Sequence, residues 1–105
     1  MTHPLDTLWS SIEARRGADP SESWTAQLLE KGPEKCAEKF GEEAIEAVIE
    51  AVRGDRARLT SEAADVLYHL MVMLAASGVE PADVWAEIDR RAGRSGLAEK
   101  AARRD

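Results

Sequence analysis

Apolar residues recur along this chain at the spacing of an α-helix rather than that of a strand. Leu5, Leu8, Trp9 and Ile12 fall on one face of a first helix, predicted over residues 4–16. Gly17 to Ser23 is rich in turn and capping residues and reads as a loop, and Ser23 is placed to cap a short helix from Trp24 to Lys31. Gly32 stops that helix, and Pro33 suits the first position of a third, which runs to Arg53 and ends at Gly54. Asp55 caps a fourth helix that reaches Ser77 and stops at Gly78, and Pro81 opens a fifth that ends near Arg91. No segment alternates in the way a strand between hairpin turns would. The expected fold is all-α: a helical bundle of about five helices with two long central ones. It occupies residues 1–91, and a charged tail, residues 92–105, is expected to be mobile.

The two long helices carry more apolar surface than the short ones can cover. In the third, Cys36, Phe40, Ala44, Ile45, Ala47, Val48, Ile49, Ala51 and Val52 fill more than half the circumference. A surface helix needs an apolar stripe of only about 100°. The fourth is apolar nearly all round from Val66 onward. Each large apolar side chain left in water forgoes roughly 1.5–3 kcal/mol, against a total stability of about 5–15 kcal/mol for a small domain. Completion of the bundle by a homodimer is the expected remedy.

Composition narrows the function classes. The chain has 105 residues, one domain's length, and a net charge of −6, which gives no general attraction for a nucleic acid polymer. Cys36 is the single cysteine, so an intrachain disulfide is excluded, and the chain suits a reducing, cytoplasmic compartment. Met1 to Asp6 lacks a basic segment followed by an apolar run, so a signal peptide is not expected. The longest strongly apolar run, Val66 to Ala76, contains His69 and is too short to span a bilayer, so no membrane partner is expected.

The residues that carry chemistry are acidic. Glu43 and Glu46 stand three apart on the third helix, and Glu62 and Asp65 repeat that spacing on the fourth, so each pair shares a helix face. Both pairs border apolar positions, where mutual repulsion and burial raise their energy together. Taken singly, such glutamates are ordinary solvated surface residues. Paired on two consecutive helices, they call for a compensating cation, and hard oxygen ligands with room for water and phosphate favour Mg²⁺. A di-iron site would need Glu-x-x-His, and no histidine follows Glu43, Glu46 or Glu62 at that spacing.

Lys31, Lys35 and Lys39 recur every four residues around the start of the third helix. This spacing fits simple ion pairing, Lys35 with Glu38 and Lys39 with Glu43. It equally fits a cationic rim that grips phosphates beside the metal, helped by free N–H groups at the Gly32-Pro33 junction. His69 shares a face with Glu62 and Asp65, although a lone histidine on an apolar helix is usually a core residue. Tyr68 is angled towards Asp65 and is within reach of it or of a substrate. Trp24 is expected in the core rather than as a wall of the site, and Cys36 is expected to pack. The chain has no Ser-His-Asp arrangement, Walker loop or zinc-ligand cluster.

Three segments resemble a known family. Ser23-Trp24-Thr25-Ala26-Gln27-Leu28-Leu29 with Lys31-Gly32-Pro33-Glu34-Lys35, then Lys39-Phe40-Gly41-Glu42-Glu43-Ala44-Ile45-Glu46, then Ser61-Glu62-Ala63-Ala64-Asp65-Val66-Leu67-Tyr68-His69-Leu70 are similar to the phosphoribosyl-ATP pyrophosphatases of histidine biosynthesis. Those belong to the MazG-type all-α nucleotide pyrophosphohydrolases, whose Glu-Glu-x-x-Glu and Glu-x-x-Asp signature reads here as Glu42-Glu43-x-x-Glu46 and Glu62-x-x-Asp65. The similarity covers about Leu5 to Arg91, and Cys36 stands where an aliphatic residue is expected. It implies hydrolysis of phosphoribosyl-ATP to phosphoribosyl-AMP and pyrophosphate, dependence on Mg²⁺, and an obligate homodimer. By the same resemblance Glu43, Glu46, Glu62 and Asp65 are the metal ligands. Glu42 and Glu46 are the candidate catalytic carboxylates, and Lys31, Lys35, Lys39, Tyr68 and His69 are the candidate substrate contacts. The competing functions are a house-cleaning hydrolase of free nucleoside triphosphates and a non-catalytic dimerisation module.

Overall fold

In the computed structural model the chain is a bundle of helices, described for residues 2–93 and 96–103. The helices are α1 (Pro4–Ala14), α2 (Trp24–Lys31), α3 (Pro33–Arg53), α4 (Arg56–Ala76), α5 (Pro81–Arg91) and α6 (Gly96–Arg103), with no strand among the described residues. The boundaries follow local chemistry. Ser23 accepts a hydrogen bond from the Ala26 amide at 3.1 Å, and Asp55 accepts one from the Arg58 amide at 3.0 Å, so each hydroxyl or carboxylate satisfies an orphan donor of the first turn. Gly54 ends α3 at φ 77°, a left-handed conformation that favours glycine.

The turn at Gly54 and Asp55 is tight, so α3 and α4 fold back on each other as the central antiparallel pair. Helix α1 packs on α4, and α2 packs against both long helices. Ile12, Leu28, Cys36, Met71, Val72 and Ala75 form the buried core, flanked by Leu5, Leu8, Trp9, Leu29, Tyr68, Met73 and Leu74. Cys36 packs as expected, its thiol donating to the Leu28 carbonyl at 3.3 Å. Arg16 donates to the Ala75 carbonyl at 3.1 Å, tying the end of α1 to the last turn of α4.

Two expectations need correction. Helix α4 is better covered than its all-round apolar sequence suggested: Met71 and Val72 are buried, and of its large apolar side chains Leu67 alone is exposed. Uncovered apolar surface gathers on α3, where Ile45, Val48, Ile49 and Val52 are all exposed, while Trp85 and Ile88 of α5 and Leu97 of α6 are exposed as well. A sixth helix, α6, lies beyond the five expected, in the segment read as a mobile tail; within that segment, residues 94, 95, 104 and 105 lie outside the described residues. The apolar run Val66 to Ala76 also sits within a helix of 21 residues, long and apolar enough by length and composition to cross a membrane. That helix carries Glu62 and Asp65, which are costly in a bilayer, and here it packs against α1, α2 and α3.

A candidate metal centre between two helices

The hairpin sets the register of the acidic residues. Glu46 and Glu62 lie the same number of residues from Gly54 on either side of the turn, and so do Glu43 and Asp65. An antiparallel pair that reverses there therefore brings the two carboxylate pairs face to face. Glu43, Glu62 and Asp65 each present one ligand oxygen, and these oxygens all lie within 4.8 Å of one another. Glu46, one turn from Glu43, adds its negative charge to both Glu43 and Glu62.

The cluster is under electrostatic pressure. Burial pushes the Glu43 carboxyl above its ordinary value of 4.5, and the charges of Glu46, Asp65 and Glu62 push it further. Glu62 is raised in the same way, by burial first and then by Glu46 and Asp65. Glu62 Oε2 is buried without a hydrogen-bond partner. A buried acceptor left unsatisfied among like charges is the local signature of a site that favours a cation.

The lysines divide. Lys39 Nζ lies 3.5 Å from Glu42 Oε2, one residue short of the Glu43 pairing that spacing suggested. The same ammonium lies 5.8 Å from the centre of the Trp24 ring. Lys35 turns to Glu38 at 3.4 Å, the ion pair expected of it, and Lys31 is exposed at the end of α2. The structure therefore pairs Lys39 with Glu42, the neighbour in sequence of Glu43 in the cluster, and pairs Lys35 with Glu38. Glu42 is exposed beside Lys39, pointing further from the core than Glu43.

His69 is buried, as a core histidine would be, but its Nδ1 has no partner. Burial first, and then the charge of Lys39, hold its pKa below the ordinary 6.5, while Asp65 and Glu42 pull the other way. The imidazole is thus neutral at pH 7 and carries unused hydrogen-bonding capacity beside the carboxylates. The Tyr68 ring meets His69 edge-on at 4.9 Å. Its hydroxyl bonds to the Thr25 hydroxyl, not to Asp65, so Tyr68 links α4 to α2. Nothing in the sequence singles out Thr25, and the sequence pattern places Trp24 in the core. Trp24 is in fact 45% exposed.

Comparison with known proteins gives a consistent picture. Residues 5–92 match the family model described as phosphoribosyl-ATP pyrophosphohydrolase. A phosphoribosyl-ATP pyrophosphatase of Cereibacter sphaeroides is 72% identical over 99 residues, covering 94% of this chain and 96% of the relative. The protein of that name from Dinoroseobacter shibae is 71% identical over 99 residues, covering 94% and 97%. Its namesake from Paracoccus denitrificans is 68% identical over 104 residues, covering 97% and 96%.

Proposed function

This chain belongs to the phosphoribosyl-ATP pyrophosphohydrolase family, and from that premise we propose that it works with Mg²⁺ held by Glu43, Glu46, Glu62 and Asp65. The reaction is the hydrolysis of phosphoribosyl-ATP to phosphoribosyl-AMP and pyrophosphate, a step of histidine biosynthesis. The observation that carries the metal reading is the carboxylate cluster, with its raised Glu43 and Glu62 and the unpartnered Glu62 Oε2. The three ligand oxygens, all within 4.8 Å of one another, are near enough for small side-chain adjustments to let them share one hard cation.

When bound, Mg²⁺ supplies Lewis-acid neutralisation of the phosphate oxygens. The chain's own residues do the rest. Lys39 compensates charge on the phosphate chain, and Lys35 and Lys31 extend the cationic rim outward. Water adds to phosphorus as the bond to the departing pyrophosphate breaks, and the proton it sheds passes to Glu42 or Glu46. The unused Nδ1 of neutral His69 is available for a substrate hydrogen bond, and Tyr68 fixes that imidazole by its edge-on contact. A second copy covers the exposed Ile45, Val48, Ile49 and Val52 stripe, making the working enzyme a homodimer. Such a biosynthetic hydrolase, with one thiol and no disulfide, belongs in the cytoplasm.

The test is pyrophosphate release from phosphoribosyl-ATP, with and without Mg²⁺, beside a panel of ordinary nucleoside triphosphates. Mg²⁺-dependent release with phosphoribosyl-ATP strongly preferred is the expected result. Full activity in chelator overturns the metal reading, and equal rates across the panel favour the house-cleaning alternative.

A further inference from the structure

Trp24 occupies a place that core packing does not explain. It opens α2 and lies one turn from the buried Leu28, yet the residue is 45% exposed. A large aromatic left half in water forgoes much of its burial. Lys39 Nζ, 5.8 Å from the ring centre, is the same ammonium that lies 3.5 Å from Glu42, the neighbour in sequence of Glu43 in the acidic cluster. One lysine thus joins an accessible aromatic plane to the carboxylate end of the site. The plane is also anchored: the neighbouring Thr25 bonds to Tyr68, and Tyr68 packs edge-on against His69.

We infer that the indole of Trp24 is the stacking wall for the purine base of the substrate, a specificity role that rests on the reading of the carboxylate cluster as the phosphoanhydride site. A nucleotide carries its base and its phosphate chain on either side of one ribose. The structure offers the matching order of aromatic plane, ammonium and carboxylates. Stacking uses the flat π face of the base, so it tolerates a bulky substituent on the purine edge, where hydrogen bonds to that edge would not. The lysine–indole contact is weak at an exposed site, so the ring exchanges it readily for a base while Lys39 turns to the phosphates.

Two measurements test this. The chain has three tryptophans, so in a Trp9→Phe, Trp85→Phe background the fluorescence reports Trp24 alone. AMP quenches it saturably, and ribose 5-phosphate, which lacks a base, does not. Absent quenching, or equal quenching by both, overturns the assignment; so does a Trp24 signal that responds to protein dilution but not to AMP, which marks a second copy as the occupant. In steady-state kinetics Trp24→Leu raises KM for phosphoribosyl-ATP roughly fivefold to a hundredfold, with kcat changed by less than about twofold, and Trp24→Phe restores most of the loss. An unchanged KM in Trp24→Leu overturns the wall. If the leucine variant fails to fold, the phenylalanine variant and the fluorescence titration still decide. A wild type that quenches with AMP but releases no pyrophosphate overturns the reaction and leaves the wall standing, so the two failures are distinguishable.

Discussion

Helix α3 has two faces that are unfavourable for opposite reasons. One carries Glu43 and Glu46 against Glu62 and Asp65 of α4, where like charges crowd into partial burial. The other carries Ile45, Val48, Ile49 and Val52, apolar and in water. A chain selected only for its own stability would exchange some residues between these faces. Placing an isoleucine at the seam and a glutamate outside would relieve both the repulsion and the exposure. That this chain does neither fits the proposal that each face is shaped for something added to it: a cation on one side and a second copy's surface on the other. The two additions are of different kinds, so perturbing each face should change different observables.

The largest effect is expected at the acidic face. Glu46→Gln or Asp65→Asn keeps shape and removes one ligand charge. Changes to residues that merely orient metal ligands commonly cost 10–100-fold, so loss of a ligand itself should lower turnover by about a hundredfold or more at saturating Mg²⁺. Thermal stability in chelator should stay level or rise, because a repulsive charge has gone. Near-normal turnover in either variant would remove that residue from the ligand set.

The apolar face should respond in assembly. Ile49→Glu together with Val52→Glu puts charge where a partner's side chains would sit, and each large apolar side chain no longer buried there forgoes roughly 1.5–3 kcal/mol. Sedimentation should shift from dimer to monomer. The wild-type unfolding temperature should rise with protein concentration, and the double variant should lose that dependence. A wild-type chain that sediments as a folded, active monomer at low micromolar concentration would show that the stripe needs no partner.

Much of this was legible before the fold. Ser23, the Gly32-Pro33 junction, the Gly54-Asp55 turn and Pro81 mark helix ends by backbone chemistry that acts locally, and α2, α3 and α5 begin and end where they imply. The acidic register was equally readable, because a tight hairpin converts equal spacing from the turn into opposition across the seam. The misplaced features depend on what a helical wheel omits. A wheel gives the angle of Trp24, which it shares with buried Leu28, but not that its end of α2 stands beside Lys39 rather than under the core. It gave α4 an apolar circumference without showing that α1 and α2 both pack against it. At α6, the helix-favouring Leu97, Ala101 and Ala102 form a helix in the segment whose glycines and charges suggested a mobile tail.

A smaller effect sharpens the role of the cationic rim. Lys39→Ala should reduce activity several-fold, whereas Lys100→Ala on α6 should leave it unchanged, since Lys39 is paired with Glu42, a candidate catalytic carboxylate. Equal and slight losses would make Lys39 an ordinary partner of Glu42, worth only a few tenths of a kcal/mol.

The smallest expected effect is the pH dependence of the metal-free fold, on the order of a few degrees in unfolding temperature because these side chains are screened by solvent. Glu43 and Glu62 have folded-state pKa values above the ordinary 4.5, so the fold favours their protonated form. Their contribution is fully present below that ordinary value and is lost as pH rises through the raised folded values. His69 lies below its ordinary 6.5 in the fold. Its contribution is present above 6.5 and is lost as pH falls through the lowered folded value. The two effects therefore oppose each other over neighbouring ranges, and a curve of unfolding temperature against pH in chelator alone would partly conceal both. Adding Mg²⁺ separates them. Bound cation offsets the repulsion among the carboxylates, so the gap between the Mg²⁺ and chelator curves should be negligible in acid, where the carboxylates hold protons. It should open as pH rises past 4.5 and level off once Glu43 and Glu62 are both ionised. Glu62→Gln should shrink the gap while leaving the downturn near the histidine range. Parallel curves at every pH would mean that the cation binds away from this cluster, and the contrast between the two faces of α3 would then lose its acidic half.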